Sequence, residues 1–268
     1  MSWTAALTAG RMDDLGRLDS GVHRLDARAK ILATAAFLVV VMSFPRYEVS
    51  GLMPLFLFPL GLGLAAGLPA GYLLRKVAIA SPFAILVGMA NPILDPAPVA
   101  VVAGHGVSGG WMSFASILVR FVLTVWGGLV LIATTGMHPL CAGLERLGMP
   151  RLFSVQILFL YRYLFVIADE GIRLARAVAV RGAGRKAVAL RVYGSLLGQW
   201  LLRSMDRALR IHQAMRARGF DGHVRVLRRG GFGWREGVFV LAWVGYFLLA
   251  RTWNLSDGLG RIVLHLTR

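Results

Sequence analysis

Two short stretches carry the most specific residue spacing in the chain. Arg173-Leu174-x-x-Ala177-x-x-Val180-Arg181-Gly182 repeats as Arg210-Ile211-x-x-Ala214-x-x-Ala217-Arg218-Gly219. In each, apolar residues at helical spacing lead into an arginine and then a glycine. Glycine just past a helix is a common stop, and arginine suits the negative end of the helix dipole, so one such end means little. Two ends with matched residues upstream read as a repeated functional end. The chemistry they offer is docking at two equivalent points, for which a guanidinium supplies charge-assisted hydrogen bonds.

Other chemistry is poorly supported. The six histidines (His23, His105, His138, His212, His223 and His265) show no i,i+4 pair and no cysteine at ligand spacing, so no metal site is expected. Cys141 is the sole cysteine and can form no disulfide or thiolate cluster within the chain. GHGVSG at 104–109 is a literal G-x-G-x-x-G, but it lacks an acidic residue about 20 positions on and falls between apolar runs, which makes it a turn. GAGRKA at 182–187 is not a Walker sequence and none occurs elsewhere, so nucleotide binding of that kind is not expected. No constellation for catalysis is visible, and no cofactor is called for.

The elements that must carry the two ends follow from composition. The chain has 268 residues, 57% of them hydrophobic, and a mean hydropathy of +0.65. Soluble domains have an apolar share of about 45–50%, so this is a polytopic membrane protein. The N-terminal MSWTAALTAGRMDDLGRLDSG lacks an apolar core of signal-peptide type, and no cleavage is expected. Apolar runs at about 29–44, 49–74, 77–94, 111–135 and 237–253 are each compatible with a helix crossing ~30 Å of hydrocarbon. The second run holds Gly63, Gly67 and Gly71 at four-residue spacing, with Ala66 and Ala70 alongside, a pattern that lets helices pack closely in lipid.

Net charge is +17, and its placement argues against nucleic acid as the partner. Residues 169–235 hold 15 Lys and Arg against 4 Asp and Glu, half of all basic residues. The positive-inside bias puts this block in the cytoplasm, with Arg17, Arg24, Arg28 and Lys30 on the same side and Arg75-Lys76 between the second and third runs. The loop 95–110 has no Lys or Arg and faces outward. HPLCAGLERLGMPR, from His138, reads as a polar cytoplasmic turn. The 16-residue run 153–168 carries Gln156 and Arg162, each costly at the bilayer centre, so it reads as partly submerged or buried and as continuous with DEGIRLARAVAVRG in one long helix. Arg173, Arg176, Arg203, Arg207 and Arg210, with Asp206 four residues before Arg210, also suit a helix face on anionic lipid. Arg120, deep in the fourth run, reads as an arginine turned to the bundle interior or a partner. With Asn91-Pro92 it is the one hint of a stand-alone secondary carrier.

The expected fold is an all-α membrane protein with about five transmembrane helices and long cytoplasmic coupling helices. Its parts are a cytoplasmic arm at 1–28, a four-helix membrane bundle at 29–135, coupling helices at 136–235, and a last transmembrane helix and tail at 236–268.

HRLDARAKILATAAFLVVV (23–41), LFLYRYLFVIADEGIRLARAVAVRG and RSMDRALRIHQAMRARGF together resemble the transmembrane T component of energy-coupling factor transporters, a class of ABC importers, and within it the cobalt-transport (CbiQ) branch most. The resemblance covers most of the chain. It implies that Val180-Arg181-Gly182 and Ala217-Arg218-Gly219 end crossed cytoplasmic helices that dock into two CbiO/EcfA-like ATPase subunits. Val180 stands where that family commonly has alanine. It also implies a separate CbiM-like substrate-binding S component, a small accessory membrane subunit of the CbiN type, and a place in the bacterial inner membrane. Transport of cobalt follows as an expectation, with nickel or a vitamin as the alternatives, and hydrolysis of ATP by the partners rather than by this chain.

Overall fold

A computed structural model describes residue 16 and residues 20–94, 98–102, 105–181, 190–222 and 231–252, with side chains left aside at 93–107 and 190–191. The chain divides into two compact units, taken separately below. One holds the described residues up to Gly143 together with 231–252, and the other holds 144–222. The protein is an all-α membrane protein, with one small antiparallel hairpin of β1 (Pro98–Val102) and β2 (His105–Ser108) where a loop was expected at 95–110. Gly104 lies outside the described residues, and the rest of GHGVSG contributes β2 and the start of the following helix.

The first unit opens with α1 (Gly21–Arg24) and α2 (Ala27–Ser43). The Asp26 side chain accepts a hydrogen bond from the Arg28 amide at 2.9 Å and so caps α2. Ala33, Phe37 and Val41 recur at four-residue spacing and are fully buried. Two 3₁₀ turns and α3 (Leu57–Ala65) follow, then α4 (Ala70–Gly88), the short α5 (Asn91–Leu94), the hairpin, α6 (Gly109–Thr135), α7 (Met137–Arg146) and, late in the chain, α10 (Trp234–Thr252). With 27 residues α6 is about 40 Å long, and it packs against α2, α3 and α4. Its Gly127 faces Phe37 so closely that a Cβ there would lie 2.9 Å from the ring, and Gly88 of α4 gives the same room to Phe114. The rings of Phe37, Phe58, Trp243 and Phe247 form the aromatic centre, with Phe37 and Phe58 centroids 4.8 Å apart.

Helix ends inside this apolar unit are held by long polar side chains. Lys30, 3% exposed, donates from Nζ to the Thr134 carbonyl near the end of α6 at 2.8 Å. At the other end of α2, Arg120 donates to the carbonyls of Phe44 (3.0 Å) and Pro45, as an interior-facing arginine should. Arg251 of α10 donates to the Ser43 carbonyl at 3.2 Å and lies over the Phe44 ring. The Tyr246 hydroxyl donates to the Pro54 carbonyl at 2.7 Å. These pairings make α6 antiparallel and α10 parallel to α2.

Several expected boundaries move. The second and third apolar runs separate at Gly67–Pro69, not at Arg75-Lys76, because Gly67 adopts a φ of +67° that ends the helix while Arg75 and Lys76 sit within α4. Gly63, Gly67 and Gly71 therefore do not form a stripe on one helix. Gly63 on α3 faces Val130, with 3.9 Å between a built Cβ and Cγ2, Gly67 is in the turn, and Gly71 on α4 meets nothing within 4 Å. The polar stretch after Met137 is helical rather than a turn, and Cys141 within α7 is 1% exposed, its thiol pushed up in pKa by burial.

In the second unit, α8 (Arg151–Arg181) is one unbroken helix of 31 residues, as 153–168 and the following stretch lead one to expect, and α9 (Leu190–Ala217) packs against it. Among the described residues α4, α6 and α8 are the helices both long and apolar enough to cross a membrane.

The Arg120 contacts yield the first prediction. Arg120→Leu leaves two carbonyls unpaired at the end of α2 and should cost about 1–3 kcal/mol, a clear fall in melting temperature in detergent. The exposed Arg75→Leu should leave it unchanged. Equal behaviour of the two variants refutes the capping role.

Candidate functional site

The second unit presents the repeated ends on an antiparallel helix pair. Trp200, Ser204, Arg207, Ala208, Ile211 and Met215 recur at three- and four-residue spacing along one face of α9, and their partners on α8 run in the opposite order. Trp200 meets Ile167 and Gly171, Arg207 meets Glu170, and Phe220, just past α9, meets Phe159 with ring centroids 6.2 Å apart.

The α9 end shows why arginine and glycine occur together. Gly219 adopts φ +77°, its amide donates to the Arg216 carbonyl at 3.0 Å, and the Phe220 amide donates to the Met215 carbonyl at 3.0 Å. This is the Schellman arrangement, in which a left-handed glycine lets the chain turn back and pair the last carbonyls. Phe220 then folds onto Phe159, while Ala217 and Arg218 remain exposed at the tip. At the other tip Val180 is 81% exposed and Arg181 is the exposed last residue of α8. Gly182 lies outside the described residues. The two ends are not brought together. Phe159, beside the α9 tip, precedes Arg181 by 22 positions of continuous helix, about 33 Å.

Between the tips the pair is fixed by Glu170, Gly171 and Trp200, which the sequence does not single out, together with Arg173, Arg203 and Arg207, which were expected on a lipid-facing helix surface. The Trp200 indole N–H donates to the Ile167 carbonyl at 3.0 Å, and its ring lies where a Cβ on Gly171 would come within 2.7 Å. Glu170, half-enclosed, receives Arg207 on Oε2 at 2.5 Å, Arg203 on Oε1 at 3.6 Å, and Arg173 of its own helix at 3.6 Å. A signal for Glu170 existed: it is one of only four acids among the 15 basic residues of 169–235, so it had to meet arginine somewhere. On the α9-tip side of this contact the helices part around a cavity of about 270 Å³ lined by Phe159, Tyr163, Arg207, Ile211, His212 and Met215 among others.

Among the described residues no three of His, Cys, Asp and Glu come together as a metal site would require. Arg120 is occupied by the carbonyls after α2, and Asn91 donates to the Ser113 hydroxyl at 2.9 Å, so both features that hinted at a carrier serve to join α6 to its neighbours.

Comparison with known proteins agrees with this architecture. The family model described as CbiQ, cobalt transport protein, matches residues 19–227. The energy-coupling factor transporter transmembrane protein EcfT of Heliobacterium modesticaldum is 26% identical over 259 residues, covering 88% of this chain and 94% of that protein. Shorter matches are the nickel permease LarQ of Lactiplantibacillus plantarum, 33% identical over 34% of this chain and 33% of its own length, and the cobalt transport protein CbiQ of Rhodobacter capsulatus, 32% identical over 36% of this chain and 40% of its own. The chain belongs to the CbiQ family, as a transmembrane T component of energy-coupling factor transporters.

Proposed function

We propose that this chain is the non-catalytic T subunit of a metal-ion importer, which passes the motion of two ATPase subunits to a substrate-binding S component. The observation that carries the reading is the pair of exposed arginine ends, Val180-Arg181 (followed in sequence by Gly182) and Ala217-Arg218-Gly219, at opposite ends of one helix pair. Two separated arginine tips suit two ATPase grooves, each receiving a guanidinium in charge-assisted hydrogen bonds. The rigid pair between them is an element through which motion at one partner is felt at another. The basic block supports a cytoplasmic place for α9 and for the end of α8 from Asp169 onward, at the inner membrane and in contact with anionic lipid as well as with protein.

Cobalt is the substrate this reading favours, on the family that the chain belongs to and on its relative in Rhodobacter capsulatus. Nickel is the second reading, favoured by the local similarity to a nickel permease. Expressed with its partner genes, the chain should drive accumulation of labelled cobalt that stops when the ATPases are inactivated. Accumulation of nickel or a vitamin without cobalt overturns the substrate and leaves the coupling role standing.

Docking is tested by charge reversal. Arg181→Glu or Arg218→Glu should each cut uptake sharply, since a lost groove contact of this kind costs about 2–5 kcal/mol, and the double variant should release the ATPases during purification. A double variant that still purifies with its ATPases and supports full uptake refutes the assignment.

Orientation is tested with introduced cysteines, because the buried Cys141 with its raised thiol pKa is a poor target for maleimide. In a Cys141→Ala background, His105→Cys should react with an impermeant maleimide in intact cells. The exposed His138→Cys should react only after permeabilisation. The opposite pattern reverses the topology.

A further inference from the structure

The repeat in the sequence and the contact between the helices share one offset. Arg173 and Arg210 are 37 positions apart, as are Arg181 and Arg218, and so are Glu170 and Arg207, the residues joined at the closest ion pair between α8 and α9. The pair therefore links equivalent positions of the two repeats. In an antiparallel pair, such a contact can lie on a local twofold axis that exchanges the two helices. The exchange extends to the space on either side of this contact, although the Arg203–Glu170 ion pair has as its equivalent Val166 and Arg207, which form none. Trp200 rests on Ile167 and Gly171, and the equivalent positions are Tyr163, Ser204 and Ala208, which face one another across the cavity of about 270 Å³. One side of the axis is filled by an indole against a glycine, and the other is left partly open beneath a phenol.

The axis has a consequence for the tips. Arg181 lies 11 residues beyond Glu170 and Arg218 lies 11 residues beyond Arg207, so each tip is about 16 Å of helix from the same contact. Glu170 also fixes the register, since its two oxygens engage Arg203 and Arg207, one turn apart on α9. A slide of one helix along the other would break at least one of these bonds and lift Trp200 off Gly171.

We propose that Glu170 and Arg207 are positioning residues that mark a local twofold axis of the helix pair and keep the two arginine tips equidistant from it. The partner this geometry fits is itself twofold: two ATPase subunits related by an axis passing close to the Glu170–Arg207 contact. The identity of that partner rests on the docking reading above, whereas the role of the ion pair does not.

The exchange makes charge reversal a direct test. Glu170→Arg and Arg207→Glu alone each place like charges on the axis. All chains in this series, the unswapped one included, carry Arg203→Gln, since Arg203 would otherwise oppose an arginine at 170; the double swap then restores an opposite pair and gives the new Glu at 207 the basic residue Arg210 at i+3, as Glu170 has Arg173. The first readout is the distance between spin labels at Ala177→Cys and Ala214→Cys, exposed and equivalent positions, in a Cys141→Ala background and in the purified chain. The unswapped chain should give one narrow population, each single reversal a broadened one, and the double swap a narrow one again. In the full complex, uptake per ATP hydrolysed should fall on the order of tenfold in each single variant and recover in the double swap. The conservative Glu170→Gln, which keeps the shape and removes the charge, should broaden the distances without loss of helical content. Unchanged distances in the single variants, or a double swap no better than either, overturns the axis. Loss of ATPase binding from the unswapped chain would instead count against the docking reading, and the label distances would still decide the role of the pair.

Discussion

A carbonyl that lacks a partner inside hydrocarbon costs several kcal/mol, and every break in a membrane helix creates such carbonyls. The bundle unit shows that constraint at three such places. The end of α2 at Ser43, Phe44 and Pro45 is met by Arg120 from α6 and Arg251 from α10, the end of α6 at Thr134 by Lys30, and the 3₁₀ turn at Pro54 by Tyr246. Each of these side chains comes from a different helix than the carbonyl it serves. Satisfying the backbone and joining the helices are thus one operation, and the packing of Phe37, Phe58 and Phe247 between them follows from it.

The same residue types therefore perform two unlike tasks. Arg120 and Arg251 spend their donors on backbone within the bundle. Arg181 and Arg218 stand exposed at helix tips with their donors unspent on any contact described above. What separates the groups is the local backbone. Where a chain break is surrounded by apolar side chains, an arginine is drawn to it. Where glycine in the left-handed region already pairs the last carbonyls, as Gly219 does, the neighbouring Arg218 stays exposed.

This explains what could be read from sequence. The apolar runs, the unbroken α8 and the two arginine ends were legible because hydrophobic periodicity and cap chemistry are local. The break at Gly67–Pro69 was misplaced because charge at Arg75-Lys76 was taken as the boundary, whereas backbone conformation decided it: Pro82 lies inside α4 without ending it, while Gly67 ends α3. The hairpin at 98–108 was missed because a stretch short of charge between two spans looks like any outer loop. Glu170, Gly171 and Trp200 were passed over because their meaning lies in another helix. A lone acid, a small residue and a tryptophan have no signature until α8 and α9 are laid antiparallel.

An α-helix transmits displacement along its axis with little loss, but a pair of helices does so only if the contact between them neither slides nor rolls. Glu170 forked between Arg203 and Arg207 resists sliding, and Trp200 seated on Gly171 resists rolling. Neither contact is strong alone, since partly exposed ion pairs contribute about 0–1 kcal/mol. Their value lies in acting at one place, midway between tips that are equally far away. Under the docking proposed above, force at Arg181 and Arg218 would have equal leverage about that point. The half-filled space beside Tyr163 lies on the α9-tip side, where the helices have room to approach.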